Sequence, residues 1–426
     1  MNNAVPPFTK EFGYIKLARI LKPGSRKLME VLNTFGSIER ISALTLKEWI
    51  ESTILTPAEL AGIKRINDSE IYEIIKYCKL NGIRIITPED DEYPNNLRYI
   101  ENPPTVLYAR GERLDSTAPI IGIVGARKST DFGNKAAYSL AAKLAMCGFT
   151  VISGGAVGVD SFAHKGAMNA GGKTIMVLGC GMDSDYLPVQ QPLRIMAEQN
   201  GTVISEFEPK VPASRYTFPI RNRLISALSS GVAVIEAGLH SGALITATYA
   251  MEQGKEIFAL PGRLDQVQYG GTNELLRDGA IPLLKVEDIL EVYTGRFGDK
   301  LFLCGELTPE VKQGYSAEVA RLKGKTRSTA AVKGADISKA QQRFVATGEG
   351  VEVKYPPKNE FTNADQLPCG QNAKKVYSAF TQNIEFSDTL SNISGVTGGD
   401  FIAAVTELEI FGFIKAVPVG RYEKIK

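Results

Sequence analysis

Apolar residues recur at helical spacing in the first part of the chain. In the stretches SRKLMEVLNTF and DSEIYEIIKYCKLNG they stand three and four positions apart, and Ser or Asp stands at the start of each stretch. This spacing is typical of amphipathic helices, and those polar residues are common N-caps. We therefore predict a helical domain over residues 10–90.

The middle of the chain has a different pattern. Short runs rich in β-branched residues, such as PIIGIVGA, TVISGGA and VAVIEA, alternate with helical stretches such as NKAAYSLAAKLAMC. Continuous apolar strands separated by helices are typical of a parallel sheet covered by helices on both faces. The sequence therefore predicts an α/β fold with a Rossmann-like, doubly wound, mostly parallel sheet, which we bound at residues 91–295.

Two further regions follow the predicted sheet. Residues 296–366 lack apolar periodicity, and between positions 321 and 343 seven Lys and Arg residues stand against one acid, Asp336. That composition predicts a basic flexible linker. Residues 367–426 regain apolar periodicity and predict three helices followed by two short strands joined at Val419-Gly420, which is the element order of a winged helix.

Composition narrows the class of protein. The 426 residues are 44% hydrophobic and 23% charged, which is ordinary for a soluble globular protein. Basic side chains number 49 and acidic ones 47, so the formal charge is +2. A nucleic-acid partner would therefore need basic groups gathered at one place. Apolar runs stay short of the roughly 18 residues that a membrane span needs, so we expect no membrane segment.

Cysteine and histidine are sparse and scattered. The five cysteines form no Cys-x-x-Cys pair, and there are two histidines. Neither a zinc site nor a disulfide framework is indicated, and we expect a reducing, cytoplasmic environment and no metal. The chain also lacks a Gly-x-Ser-x-Gly motif and a glycine loop ending in Gly-Lys-Ser/Thr, so its motifs indicate no catalytic residue.

The first candidate site follows the first parallel strand. In open α/β sheets, ligands bind beyond the carboxyl ends of the strands. Here that strand runs into Gly125, Arg127 and Lys128, and Thr130 precedes a predicted helix. Glycine lets a ligand approach the backbone, and a guanidinium suits phosphate oxygens. The alternative is a tight turn with a solvent-exposed arginine.

The second strand ends in a glycine-rich turn that contains Gly154, Gly155 and Gly158. Backbone amides in such a turn form a concavity that binds anions. The alternative is that these glycines serve only the close packing of strand against helix. Downstream, Asp160 is expected to cap a helix, and a structural role is expected for His164.

Segments after two further predicted strands contribute basic residues, an aromatic ring and a helix N-terminus to the candidate site. Phe218, Arg221, Asn222 and Arg223 combine guanidinium groups with an aromatic ring, as single-stranded nucleic acid requires. The alternative there is a helix start with solvated arginines and a core phenylalanine. Ser241-Gly242 would begin a helix whose positive dipole end points into the same crevice. Together these turns predict a crevice that binds a polyanion.

The combined motifs resemble those of the DNA-processing protein A (DprA, or Smf) family. The resemblance covers residues 90–295 and rests on these segments in this order: Val124-Gly125-Ala126-Arg127, Ser153-Gly154-Gly155-Ala156-Val157-Gly158-Val159-Asp160, Ala163-His164, Ser205-Glu206, Phe218-Pro219-Ile220-Arg221-Asn222-Arg223, Glu236-Ala237, Ser241-Gly242-Ala243 and Ala259-Leu260-Pro261-Gly262. It implies an N-terminal helical, SAM-like domain and a C-terminal winged helix on either side of the Rossmann-like domain.

The resemblance also implies a function. Family members are cytoplasmic, non-enzymatic proteins that bind single-stranded DNA, form homodimers and help load a RecA-type recombinase during natural transformation, with no cofactor. By the family match, Arg127, Gly154 and Gly155 are the first candidates for a phosphate pocket. Lys173, Arg221 and Arg223 are implied as further groove contacts.

Two other functions stay open from the residues alone. A nucleotide-binding phosphoribohydrolase-like enzyme could use a related fold, with Glu236 or Glu206 as its catalytic carboxylate. The loop Ala237-Gly238-Leu239-His240-Ser241-Gly242 departs from the Pro-Gly-Gly-x-Gly-Thr loop of such enzymes and weakens that hypothesis. A structural scaffold for recombination proteins, with a vestigial crevice, is the third hypothesis.

Overall fold

The protein is described by a computed structural model that covers residues 8–115, 117–185, 188–303, 305–332, 370–380, 384–410, 413–417 and 421–424. The chain divides into two compact units, Met1–Arg327 and Ser328–Lys426. Within the described ranges, no helix is long and apolar enough to cross a membrane.

The first unit begins with six helices: α1 (Lys10–Leu21), α2 (Leu28–Phe35), α3 (Ile38–Ser42), α4 (Leu46–Glu51), α5 (Pro57–Ile63) and α6 (Asp68–Leu80). Local sequence sets several of their starts. Thr45 caps α4 and Thr56 caps α5, each in a reciprocal capping box with the glutamate three residues later. Trp49 is fully buried in the core that these helices share. The helical periodicity read over residues 10–90 is thus present in the structure.

A nine-stranded sheet follows in the same unit. Its strands are β1 (Arg84–Ile86), β2 (Leu107–Gly111), β3 (Ile120–Val124), β4 (Thr150–Ser153), β5 (Thr174–Leu178), β6 (Gly201–Ser205), β7 (Gly231–Val234), β8 (Glu256–Ala259) and β9 (Ile281–Pro282). Their spatial order is β1-β2-β6-β5-β4-β3-β7-β8-β9. The strands from β3 to β9 pair in parallel, whereas β1 and β2 form an antiparallel edge. The prediction of a doubly wound, mostly parallel α/β sheet is confirmed.

Helices cover both faces of this sheet. They are α7 (Asn95–Arg98), α8 (Asp131–Met146), α9 (Val159–Asn169), α10 (Gln191–Gln199), α11 (Thr217–Leu228), α12 (Gly242–Glu252), α13 (Gly270–Arg277) and α14 (Glu287–Phe297), with short 3₁₀ turns at Pro188–Gln190 and Val267–Tyr269. Alternate residues of β3 enter different cores: Ile121 packs with α8 and α9, whereas Ile120 packs with α11 and α12. That alternation follows from the two-residue repeat of a strand.

The strand order places a crevice at one edge of the sheet. From β3 the chain continues to β4 on one side, while β7 pairs with the other side of β3. Such a reversal of strand order leaves the carboxyl ends of the two adjoining strands open to a ligand. The crevice expected beyond β3 and β7 therefore lies at a topological switch point.

The segment predicted as a linker contains a long helix, α15 (Pro309–Val332). Its first turns pack against the α8–α9 face: Val311 is buried, and the Tyr315 ring lies 5.5 Å from Tyr138 and 5.9 Å from Phe162, centroid to centroid. The structure thus differs from the expected disorder over Pro309–Val332, because tertiary contacts stabilise a helix that lacks a regular apolar stripe. Residues 333–366 of the predicted linker lie outside the described residues, and the proposed domain boundaries stay predictions.

The second unit is small. Its elements are α16 (Gln371–Ser378), β10 (Ile384–Phe386), α17 (Ser387–Ser394), α18 (Gly398–Ile410), β11 (Ile414–Val417) and β12 (Arg421–Lys424). The three strands form an antiparallel sheet in the order β10-β12-β11. The sequence pattern missed β10, because three residues are too few for a visible alternation. The Val419-Gly420 junction lies outside the described residues, and the winged-helix assignment stays a prediction.

Candidate nucleic-acid interface

A cleft of about 900 Å³ opens at the carboxyl ends of β3 and β7. Residues from five separate parts of the chain line it, so the switch point brings together residues that are far apart in sequence. Seven of the predicted site residues are among those that line it: Gly125, Arg127, Phe218, Arg221, Asn222, Ser241 and Gly242.

Two guanidinium groups flank one aromatic ring in this cleft. The Arg127 guanidinium carbon lies 4.5 Å from the centroid of the Phe218 ring, and that of Arg221 lies 5.9 Å from it. Both distances are within the range of cation–π attraction. Arg127 is exposed at the end of β3, so its guanidinium group can reach a ligand while the ring holds it in place.

Arg221 is built into the wall of the cleft. Only 4% of it is exposed, and its Nη1 donates a hydrogen bond to the Val177 carbonyl over 2.6 Å. A Cβ atom on Gly154 would lie 1.9 Å from that same Nη1, so a larger residue at position 154 would have to displace the guanidinium. Burial raises the pKa of the neighbouring Asp160, and the Arg221 guanidinium opposes that rise. Arg221 thus adds positive charge beneath the cleft surface.

The other glycines of the second turn serve backbone geometry. Gly155 and Gly158 have φ of +65° and +81°, a region that favours glycine. A Cβ on Gly158 would lie 2.3 Å from the Ala126 carbonyl oxygen, and the Val159 amide donates to that oxygen over 3.2 Å. These contacts fit the packing alternative: the second turn supports the first turn from below.

Two helix N-termini at this edge, those of α8 and α12, are capped by side chains. Ser241 caps α12 by accepting a hydrogen bond from the Ala243 amide over 3.3 Å, and the adjacent Gly242 is exposed. Thr130 caps α8 and donates its hydroxyl to the buried Glu236 carboxylate over 2.8 Å. Thr130 therefore has a structural role beside the cleft, whereas Lys128 is exposed on the same turn as Arg127.

The Arg-Asn-Arg segment divides between two surfaces. Asn222 lines the cleft and donates from Nδ2 to the Gly242 carbonyl over 3.3 Å, so it ties α11 to the start of α12. Arg223 is fully buried and binds the Glu206 carboxylate from Nη2 over 2.7 and 2.6 Å. The expectation that Arg223 contacts a ligand in the groove does not fit this placement, because its guanidinium has no access to the cleft.

Lys173 lies at the opposite edge of the sheet. It directly precedes β5, so it stands at the amino end of a parallel strand, far from the carboxyl ends that form the cleft. Its Nζ pairs with Glu112 over 2.6 Å on an exposed surface. The structure therefore does not bring Lys173 together with Arg127 and Arg221.

The predicted site does not extend to the mouth of the cleft. Arg215 lines the cleft and is exposed; its guanidinium carbon lies 4.9 Å from the Tyr216 ring centroid, and its Nη2 donates to the Tyr216 hydroxyl over 2.8 Å. Tyr216 is itself 66% exposed. The adjacent basic and aromatic residues Arg215 and Tyr216, just before Phe218, could have indicated this part of the cleft from the sequence.

The carboxylates considered for catalysis have structural partners. Glu206 is buried against Arg223, and Glu236 accepts hydrogen bonds from the Thr130 backbone amide and hydroxyl. His164 is fully buried with Nδ1 2.7 Å from the Thr174 hydroxyl, and burial lowers its pKa to about 3. These placements agree with the structural role expected for His164.

Comparison with known proteins identifies the family. A family model described as DNA recombination-mediator protein A matches residues 84–294. Protein Smf from Synechocystis is 30% identical over 364 residues, which is 84% of this chain and 84% of that protein. The chain belongs to the DprA/Smf family. Protein Smf from Escherichia coli is 40% identical to it over 210 residues, covering 48% of this chain and 56% of that protein.

A solved structure agrees with this DprA/Smf assignment. The X-ray structure of DNA processing protein A from Streptococcus pneumoniae is similar with a TM-score of 0.59 and 28% sequence identity. The similarity covers 67% of this chain and 98% of that chain. The resemblance inferred from the motifs between Val124 and Gly262 is confirmed.

Proposed function

We propose that this DprA/Smf protein binds single-stranded DNA without sequence preference in the cleft at the carboxyl ends of β3 and β7. The observation that carries the proposal is the exposed Arg127 guanidinium held over the Phe218 ring, with Arg221 beneath it. Cations that follow phosphates, together with rings that accept bases, are the components of sequence-tolerant single-strand binding.

Each group has a separate task in this mechanism. Arg127 and Arg215, which are exposed and line the cleft, neutralise phosphates of the bound strand. The exposed Gly242 amide, at the positive end of α12, offers a donor to a further phosphate oxygen. Arg221 offsets the charge of the buried Asp160 carboxylate beneath the cleft. Contacts with backbone phosphates carry no sequence information, so binding is sequence-independent.

We further propose that the protein is a binder and not an enzyme. This is supported by the burial of Glu206 and Glu236, whose carboxylate oxygens accept hydrogen bonds from other residues of the protein. A general acid or base needs to reach the reacting group within hydrogen-bond distance. In their present positions both carboxylates bind groups of the protein itself instead.

The wider role that we propose follows the family. A homodimer of this protein would protect incoming single strands in the cytoplasm and help load a RecA-type recombinase on them during natural transformation and recombination. Family membership supports this role. In that scheme the cleft holds the sugar–phosphate backbone, and a sequence-independent grip suits a mediator that must accept any incoming strand.

Charge reversal at Arg127 tests the site. Arg127→Glu replaces a phosphate-binding guanidinium with a repelling carboxylate, so oligo-dT affinity should fall by roughly a hundredfold, since hydrogen bonds to charged groups contribute about 1.5–3 kcal/mol each. Fluorescence anisotropy with a labelled oligonucleotide measures the change.

Lys173→Glu is the matched control. It makes the same change of charge at an exposed position on the opposite edge of the sheet, and its affinity should stay within about twofold of the wild type. Circular dichroism checks that both variants fold. If Arg127→Glu keeps wild-type affinity, or if Lys173→Glu is the variant that loses it, the proposed cleft is not the binding site.

A further inference from the structure

Helix α11 makes different contacts on two opposite faces. Phe218, Arg221, Asn222 and Ile225 line the cleft, at the three- and four-residue spacing of one helix face. Arg223 is two residues beyond Arg221 and so points about 200° away around the helix. The face opposite the cleft therefore carries its own set of contacts.

A buried ion pair fastens that opposite face. Arg223 is fully buried, and its Nη2 lies 2.7 and 2.6 Å from the two Glu206 oxygens. Glu206 comes directly after β6, so the pair joins α11 to the end of a central strand of the sheet. The axial position and rotation of α11 are thereby tied to the sheet.

The turn after α1 completes this contact. The Gly24 amide donates to Glu206 Oε1 over 3.2 Å. Gly24 has φ of +82°, and a Cβ there would lie 3.2 Å from Ile220 Cγ2, so the turn fits closely against the back of α11. Nearby, Arg19 forms two hydrogen bonds to Glu208, of 2.8 and 3.1 Å. The N-terminal helices therefore hold the same helix that presents Arg221 to the cleft.

The pair is poorly suited to a purely stabilising role. Burying two charges carries a large desolvation cost, which only complete hydrogen bonding repays. Within the described part of the chain, Arg223 Nε and Nη1 are buried without a hydrogen-bond partner. Apolar side chains of similar volume often stabilise a core as well as or better than such a pair. Its directional geometry, by contrast, fixes where the helix sits.

We propose that Glu206 and Arg223, with the Pro23-Gly24 turn, are positioning residues that set α11 so that Arg221 and Phe218 stand correctly in the cleft. This inference rests on the proposed single-strand binding. A shift of α11 by about 1 Å would disturb both the Arg221–Val177 hydrogen bond of 2.6 Å and the Arg127–Phe218 contact of 4.5 Å. The N-terminal helices would then influence binding without touching the strand.

A double-mutant cycle tests the inference on the full chain. The variant Glu206→Gln with Arg223→Met removes both buried charges and keeps similar volume. Oligo-dT affinity should fall about tenfold, while the urea midpoint stays unchanged or rises. In a background that carries Phe218→Leu and Arg221→Met the same pair of changes should cost less than twofold, because both groups that they position are already gone.

Other results of these experiments would overturn either the positioning role or the proposed function. Additive effects of the two sets of changes, or full affinity in the pair variant, overturn the positioning role even if Arg127→Glu abolishes binding. If Arg127→Glu has no effect, the proposed function itself fails. Should the pair variant not fold, Gly24→Ala, which leaves both buried charges paired and places a methyl group against Ile220, enters the same cycle with the same criterion.

Discussion

Glycine at position 154 is explained by the neighbouring Arg221 side chain and not by an unusual backbone conformation. Unlike Gly155, it does not have a positive φ. The space that a Cβ would occupy is filled by the Arg221 guanidinium, 1.9 Å away at Nη1. The Gly154 backbone thus leaves the space that the buried Arg221 guanidinium occupies.

Adding one methyl group at this position should disturb the cleft. Gly154→Ala forces the Arg221 guanidinium to move, so we expect oligo-dT affinity to fall about tenfold and the free energy of unfolding to fall by roughly 1–3 kcal/mol. Anisotropy and urea denaturation measure the two quantities. Gly62→Ala, inside α5, is the matched control, because among the described residues a Cβ there meets no atom within 4 Å apart from its chain neighbours and its own helix backbone. Wild-type affinity in Gly154→Ala would show that Arg221 does not contribute.

Seven of the fourteen predicted site residues line the cleft, and two predicted cations, Arg223 and Lys173, lie elsewhere for geometrical reasons. Arg127 and Arg221 follow from the strand ends and the motif. Arg223 is two positions after Arg221, and a helix cannot present both to one surface. Lys173 precedes its strand, and in a parallel sheet the residue before a strand lies at the edge opposite the ligand. Both corrections could have been drawn from helix and strand geometry alone.

At the scale of the element, α15 is a helix that the pattern of apolar residues did not predict. Its sequence is polar and basic, yet its first turns are stabilised by single contacts: the Tyr138 hydroxyl donates to the Val311 carbonyl over 3.0 Å, and Lys165 pairs with Glu318 in a largely buried site. Burial of Lys165 on α9 gives no sign of a partner 153 residues later in the chain. Long-range contacts of this kind made the helix unpredictable from local sequence.

Tyr315 should hold this helix to the domain. Its ring packs against Tyr138 and Phe162, so Tyr315→Ala should lower the free energy of unfolding by about 1–3 kcal/mol, since aromatic pairs contribute about 0.5–1.5 kcal/mol each beyond area burial. Amide hydrogen exchange in the first turns of α15 should also become faster. Tyr99→Ala removes a ring that is 87% exposed and should change neither measurement. Equal stability of the two variants would show that α15 is not anchored by this ring.

At the scale of the whole molecule, a nearly balanced charge makes binding a local event. The formal charge of +2 over 426 residues cannot attract a polyanion from all sides. Affinity must then come from the few cations gathered at one rim. Three of them, Arg127, Lys128 and Arg215, are exposed beside or in the cleft.

The salt dependence of binding counts these contacts. Single strands release about 0.7 counterion for each phosphate neutralised, so three contacts predict a slope of about −2 for log affinity against log salt, and Arg127→Ala should make the slope shallower by about 0.7. Titrations of the full chain with oligo-dT at several salt concentrations measure both values. A wild-type slope steeper than about −4 would mean that phosphates also bind outside the cleft, with the basic residues between 321 and 343 as the first source to test. Neutralising Lys323, Lys325 and Arg327 would then restore the shallower slope, whereas an unchanged slope would place the extra contacts elsewhere.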